Sequence, residues 1–247
     1  MEETRRPGTA MPGQAETCLK EALNFTYPHL AATQAPSKQT AIGRKGREKD
    51  EEAAMEAPEP KNIQRIWREP SFRSAKKQGK AYGTAVHGAM QYVNFASCRS
   101  KEAFTAELER IVSEGLLSEE QGKLLDPDRI WPFFETEIGK KLAKGCHCLR
   151  EFKFSILDDG SHYGDGLQGE QVLLQGVVDC ALLEEDGITV IDFKTDYVRE
   201  DTLSQAADRY RLQIETYADA LSRIYEMPVK ERCLYFFHLN RFVKITG

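Results

Sequence analysis

No run of about 18 consecutive apolar residues occurs in the chain, so no membrane-spanning helix is expected. Met1 to Ala10 bring charge, proline and glycine but no apolar segment of a secretory signal, and the expected compartment is the cytoplasm. None of the six cysteines (Cys18, Cys98, Cys146, Cys148, Cys180, Cys233) stands in a C-x-x-C pair. Cys146 and Cys148 flank His147, but no second pair completes a zinc site, so reduced structural cysteines are the better reading. The phosphate-binding signature G-x-x-x-x-G-K-[ST] is missing, since Gly43-Arg44-Lys45-Gly46 does not satisfy it, and no ATP hydrolysis is expected of this chain. No internal repeat is visible.

What is present is 247 residues, 40% hydrophobic and 30% charged, enough for one large core or one domain plus an extension. The net charge of −5 does not by itself point to nucleic acid. The charge is uneven, however: Lys61, Arg65, Arg68, Arg73, Lys76, Lys77 and Lys80 face one acid, Glu69, between Lys61 and Lys80. Such a stripe can hold a phosphate backbone or can be a solvated segment, and charge alone does not choose. Residues 1–60 have few large apolar side chains outside Leu23–Leu30 and are expected to be a poorly ordered extension or linker. Within them Gly43 to Glu56 has the make-up of a charged, solvated helix. The globular domain is expected over residues 61–247.

From Gly83 the apolar residues recur at helical spacing, with Val86, Met90 and Val93 on one face. Lys101–Glu114, a segment starting at Ser118 and Trp131–Ala143 are predicted as further helices. The period then falls to two. Glu151 to Ile156 alternates, Gln171–Leu183 is a Val- and Leu-rich run, and Ile188–Val198 returns after the turn Glu185-Asp186-Gly187. Asp208–Tyr225 is predicted helical with Tyr210, Ile214, Tyr217, Leu221 and Ile224 on one stripe. Cys233–Leu239 follows as a strand, with Phe242–Ile245 at its end. The order implies an α/β fold with a central mixed sheet flanked by helices.

If Asp186 and Gly187 are the turn residues, Asp179 falls opposite Lys194, and Asp179, Asp192 and Lys194 share a face. The two carboxylates are then diagonal neighbours, about 7–8 Å apart or less. In so apolar a surrounding they repel unless a cation lies between them, and oxygen ligands favour magnesium, with manganese as the alternative. Phe193 points to the other face, and its carbonyl is a further candidate ligand. Lys194 is placed to orient or deprotonate a water or to balance a phosphate. The bland alternative is a pair of solvent-facing strand residues in a cross-strand ion pair.

Gly176-Val177-Val178-Asp179, Ile191-Asp192-Phe193-Lys194-Thr195-Asp196 and Gln213-Ile214-Glu215-Thr216-Tyr217 resemble the motifs of the RecB-like nucleases, within the PD-(D/E)xK superfamily. Gly83-Thr84-Ala85-Val86-His87 resembles this group's histidine-bearing helix. Arg150 to Phe154 and Leu234 to Phe237 look like the AddA-type subunit of helicase–nucleases. The resemblance implies a restriction-endonuclease-like core, with Asp179 and Asp192 as metal-binding carboxylates and Lys194 as the catalytic lysine. It also implies His87 and Glu151 as further ligands, with Gln213 and Tyr217 supporting DNA binding and site geometry. Lys76, Lys77 and Lys80 are the candidate backbone contacts. With Cys233 the one cysteine in the late region, no iron–sulfur cluster is expected. The implied function is a Mg2+-dependent exodeoxyribonuclease acting in double-strand break repair. Its implied partners are a helicase segment and an AddB-like second subunit. The alternative from another class is a non-catalytic DNA-binding or assembly module of such a complex.

Overall fold

The computed structural model describes residues 38–41, 71–164 and 166–246. The expected solvated helix at 43–56 and the start of the basic stripe lie outside these residues. The sheet among them has six strands: β1 (Lys38–Thr40), β2 (Cys148–Asp159), β3 (Gln171–Glu184), β4 (Gly187–Lys194), β5 (Val229–Phe236) and β6 (Arg241–Lys244). The α-helices are α1 (Ser71–Tyr92), α2 (Lys101–Ser113), α3 (Glu119–Leu124), α4 (Pro127–Ile130), α5 (Pro132–Glu135), α6 (Glu137–Ala143) and α7 (Leu203–Tyr225). Pairing is mixed: β1–β3 and β4–β5 are parallel, while β2–β3, β3–β4 and β5–β6 are antiparallel. The α/β class with a mixed sheet is as expected.

Local chemistry sets most of the boundaries. Ser100 caps α2 by accepting from the Ala103 N–H, and Ser118 and Gln121 form a reciprocal capping box on α3. The single helix expected over Trp131–Ala143 is instead broken. Pro132 opens α5, and Thr136 caps α6 by accepting from the Gly139 N–H at 3.0 Å. Helix α1 begins well before the expected Gly83 because Lys, Arg, Ala and Gln are good helix formers even without an apolar stripe. Strand β1 lies within residues 1–60, the segment expected to be an extension or linker. Lys38–Thr40 lie beside Leu173–Gln175, and the Ala41 N–H donates to the Gln175 carbonyl at 2.9 Å. A three-residue polar strand carries no alternation to read; backbone pairing with an open edge of β3 makes it.

The sheet is covered on both faces. One layer comes from α1, α2 and the short helices, packed on Cys180, Leu182, Ile191, Phe193, Cys233 and Tyr235. Phe133 lies at its centre, edge-on to Phe134, Phe193 and Tyr235 at 5.0–5.4 Å between centroids. The other layer is α7, packed on Val178, Ala181, Ile188, Val190, Leu234 and Phe236. Strand β4 lies between the two layers and is buried at every residue, including the polar Thr189, Asp192 and Lys194.

The β3–β4 hairpin differs from the expected one. Glu184 pairs with Gly187, so Glu185 and Asp186 are the two turn residues. Gly187 is strand residue one, at φ 137°, and a Cβ there would lie 2.5 Å from the Pro228 carbonyl oxygen. Each β3 residue therefore faces a β4 residue two places earlier than expected. Two residues are one full strand period, so the shift changes the partners and leaves the alternation of β4 as expected. Replacing Gly187 with Ala is expected to cost about 1–3 kcal/mol through the unfavourable φ and the Pro228 clash. Urea unfolding would check this, as a lower midpoint with an unchanged slope.

Candidate active site

Strand β2 runs along one edge of β3 from Gln171 to Leu182, so β1 and β4 must share the other edge. β4 occupies it from Cys180 to Glu184 and β1 from Leu173 to Gln175. Between them, over Gly176 to Asp179, β3 has left one neighbour and not yet met the next. Extending the β3–β4 register by one step from the Cys180–Ile191 pair places Asp179 directly across from Asp192, rather than opposite Lys194 as expected.

At the same place the strands change face. On β3, Cys180 and Leu182 lie in the helical layer of α1, whereas Leu174 and Val178 lie in the α7 layer, although all four are even-numbered. On β2, Cys148 packs with the first layer, and Phe152 and Phe154 pack with the second. Regular alternation does not allow this. The switch falls at Glu151 and Asp179, the step that the β2–β3 register skips between the Arg150–Cys180 and Phe152–Val178 pairs, and Glu151 takes a left-handed φ of 45°. Two carboxylates thus leave the normal pleat at the opening.

His87 meets them there from α1. Its Nδ1 lies 3.6 Å from Asp179 Oδ1 and 3.8 Å from Glu151 Oε1. One ligand atom from each of the three residues falls within 4.8 Å of the others, a grouping that can hold a metal ion. Burial acts against the charge on His87, but Asp179 and then Glu151 outweigh it and hold the imidazole well above its ordinary pKa. Burial likewise acts to raise Asp179. The charges of His87 and Lys194, with the Phe193 N–H donating to Oδ2 at 2.7 Å, nevertheless keep it below the usual carboxylate range.

The second half of the site is buried. Asp192 and Lys194 lie on the α7 face of β4, each with 2% of its side chain exposed, and Lys194 Nζ is 3.0 Å from Asp192 Oδ2. Nζ also donates to Gln213 Oε1 at 3.2 Å and lies 3.8 Å from the centre of the Tyr210 ring. Gln213 in turn donates to the Tyr217 hydroxyl at 2.9 Å. Tyr210, Gln213 and Tyr217 are spaced i, i+3, i+7 on α7, so one helical face supplies the whole cradle. Burial, then the charges of Asp192 and Asp179, push the Tyr217 phenol up, which keeps it neutral.

The expected residues thus fall into two adjoining groups. His87, Glu151 and Asp179 converge at the opening; Asp192, Lys194, Gln213 and Tyr217 converge beneath it. The Asp192 carboxylate turns to Lys194, and Phe193 offers its N–H to Asp179 while its ring packs with Phe133. Lys80 is exposed, two turns before His87 on α1. The side chains of Lys76 and Lys77 lie outside the described residues. Three contributions are not legible in the sequence. Periodicity shows Tyr210 only as part of an apolar stripe. Gly83 and Gly176 are motif letters without a reason, and the structure supplies it. A Cβ on Gly83 would lie 2.9 Å from Thr195 Oγ1, so glycine lets α1 approach the end of β4. A Cβ on Gly176 would lie 2.7 Å from the Phe154 ring and 3.1 Å from the Tyr217 ring.

The chain belongs to the PD-(D/E)XK nuclease superfamily, whose family model matches residues 61–244. Over 98% of its length it is 33% identical to the A subunit of the ATP-dependent helicase/nuclease of Bacillus mycoides, and equally to that of a Bacillus cereus strain. A second Bacillus cereus strain gives 32% over the same share. The AddA-type resemblance accords with these relatives. The chain spans 21% of their length.

Gly176→Ala is expected to destabilise the fold by about 1–3 kcal/mol, because Phe154 and Tyr217 already fill the space. Combining it with Phe154→Leu should recover part of the loss. A double-mutant cycle from urea unfolding measures this coupling, and additive losses would mean that the two sites are independent.

Proposed function

We propose that this chain is a metal-dependent DNA nuclease domain that hydrolyses phosphodiester bonds, using Mg2+ or, alternatively, Mn2+. The observation that carries the reading is the convergence of His87, Glu151 and Asp179 at the opening, with Asp179 bonded to the Phe193 N–H, between the buried, paired Asp192 and Lys194. The three residues offer one imidazole nitrogen and carboxylate oxygens, and Asp192 and the Phe193 carbonyl are further candidate ligands. This oxygen-rich donor set suits a hard divalent cation. Held by these residues, a divalent cation would supply Lewis acidity toward the scissile phosphate and an attacking water.

The protein's own groups do the rest. Lys194 is held by Asp192, Gln213 and Tyr210, so its ammonium is oriented before substrate arrives. From there it steadies the developing phosphate charge or orients the water. Gln213 and Tyr217 act through Lys194 as positioning residues. Lys80, with Lys76 and Lys77, is assigned to the substrate backbone, which makes binding salt-dependent.

The substrate is single-stranded DNA at an end, or the strand that a helicase delivers, and the activity is that of an exodeoxyribonuclease. Similarity to helicase/nuclease subunits supports a place in double-strand break repair by end resection, in the cytoplasm. There it would work with a helicase segment and an AddB-like second subunit. The nuclease domain covers residues 61–247, to which β1 adds a strand, and the remainder of residues 1–60 serves as an extension or linker.

End-labelled single-stranded DNA should be cleaved with Mg2+ and left intact with EDTA. Lys194→Ala should lower the rate by at least about 100-fold without loss of fold, checked by circular dichroism. Cleavage that continues in EDTA, or undiminished in Lys194→Ala, would defeat the reading. A wild type that binds DNA but never cleaves it would instead support a binding or assembly module.

A further inference from the structure

The carboxyl ends of β4 and β5 carry an aromatic pair that neither the core nor the catalytic cradle uses. Tyr197 is 78% exposed, more than any other large apolar side chain among the described residues. Its ring lies 4.2 Å from that of His238, centre to centre, tilted by 46°. His238 is also exposed. Neighbours fix both positions. Val198 is buried in the α7 layer immediately after Tyr197. Phe237, next to His238, is buried in the other layer and donates its N–H to the Lys194 carbonyl at 2.9 Å. The rings are therefore held out in water by an anchored backbone.

Their location relates them to the site. Tyr197 is three residues beyond Lys194, at most about 11 Å of extended chain, which corresponds to about three nucleotides of a stacked strand. Thr195, between them, touches α1 at Gly83, one turn from His87. The carboxyl ends of adjacent parallel strands are where open α/β sheets generally receive ligands. Asp196, held by the Tyr210 hydroxyl, makes this spot a poor seat for a phosphate. An uncharged, flat group suits it better.

We propose that Tyr197 and His238 form a stacking platform for a nucleobase of a single strand whose phosphate lies at the Asp179–Lys194 site; this rests on the nuclease reading above. Every base offers a π-face, so the platform favours unpaired strands over duplex without selecting sequence. Tyr197 is the outer surface, and His238 supports its ring from behind.

The test uses the full chain with Ca2+ in place of Mg2+ and a single-stranded oligothymidine carrying one 2-aminopurine. Tyr197→Ala should weaken binding by about 5- to 100-fold and abolish the aminopurine quenching. Tyr197→Trp should keep both. The salt dependence of binding should not change in Tyr197→Ala, whereas Lys80→Ala should reduce its slope. Unchanged affinity and quenching in Tyr197→Ala, with wild-type cleavage intact, would overturn the platform alone. A wild type that binds no oligonucleotide would overturn the platform together with the nucleic-acid reading. Binding with the full aminopurine signature, but no metal-dependent cleavage, would uphold the platform and overturn the nuclease.

Discussion

The carboxylate of Asp179 accepts from the Phe193 N–H at 2.7 Å and lies 3.6 Å from the His87 ring nitrogen. That contact joins three parts of the molecule: β3, β4 and the helical layer. It exists because β3 has an open edge there, after β4 has ended its pairing and before β1 begins. A regular ladder would send Asp179 to one face or the other. The switch of face at Glu151 and Asp179 lets an imidazole from one layer and a lysine on the opposite face act on the same acid.

This arrangement has costs. A non-glycine residue at a φ of 45° is strained by about 1–3 kcal/mol, and Glu151 tolerates it because β2 and β3 pair on both sides. Lys194 and Asp192 are taken out of water, which is expensive unless each has several partners. Lys194 has an acid, an amide oxygen and an aromatic face. Two glycines serve the same end. Gly83 allows α1 close enough for His87 to reach, and Gly176 leaves room for the Tyr217 ring that supports Gln213. Binding geometry is thus set by backbone that has no chemistry of its own.

Much of this is legible in the sequence. The change from helical to strand period locates the helices and the β2–β3–β4 core. The motif residues His87, Asp179, Asp192, Lys194 and Gln213 are all identifiable, and each lies at the opening or beneath it. The expected hairpin partners are off by two residues because Gly187 looks like a turn residue; it is the first strand residue, needed for its contact with Pro228. An error of a whole strand period leaves the alternation of β4 unchanged, so Asp192 and Lys194 still share a face. Strand β1 is not legible, since Lys-Gln-Thr has no pattern and its pairing is decided by a distant edge. Nor is the face switch, which depends on two strands departing from the pleat together. The pair Tyr197 and His238 is separated by 41 positions and meets only because β4 and β5 run parallel.

Crystals of the full chain grown with Mn2+, measured at the manganese absorption edge, test the central claim most directly. One anomalous peak is expected within ligand distance, roughly 2.0–2.3 Å, of the Asp179 carboxylate and the His87 imidazole, with Glu151 or Asp192 beside it. A peak elsewhere, or none at a saturating concentration, would contradict the account of the split edge as a metal-holding active site.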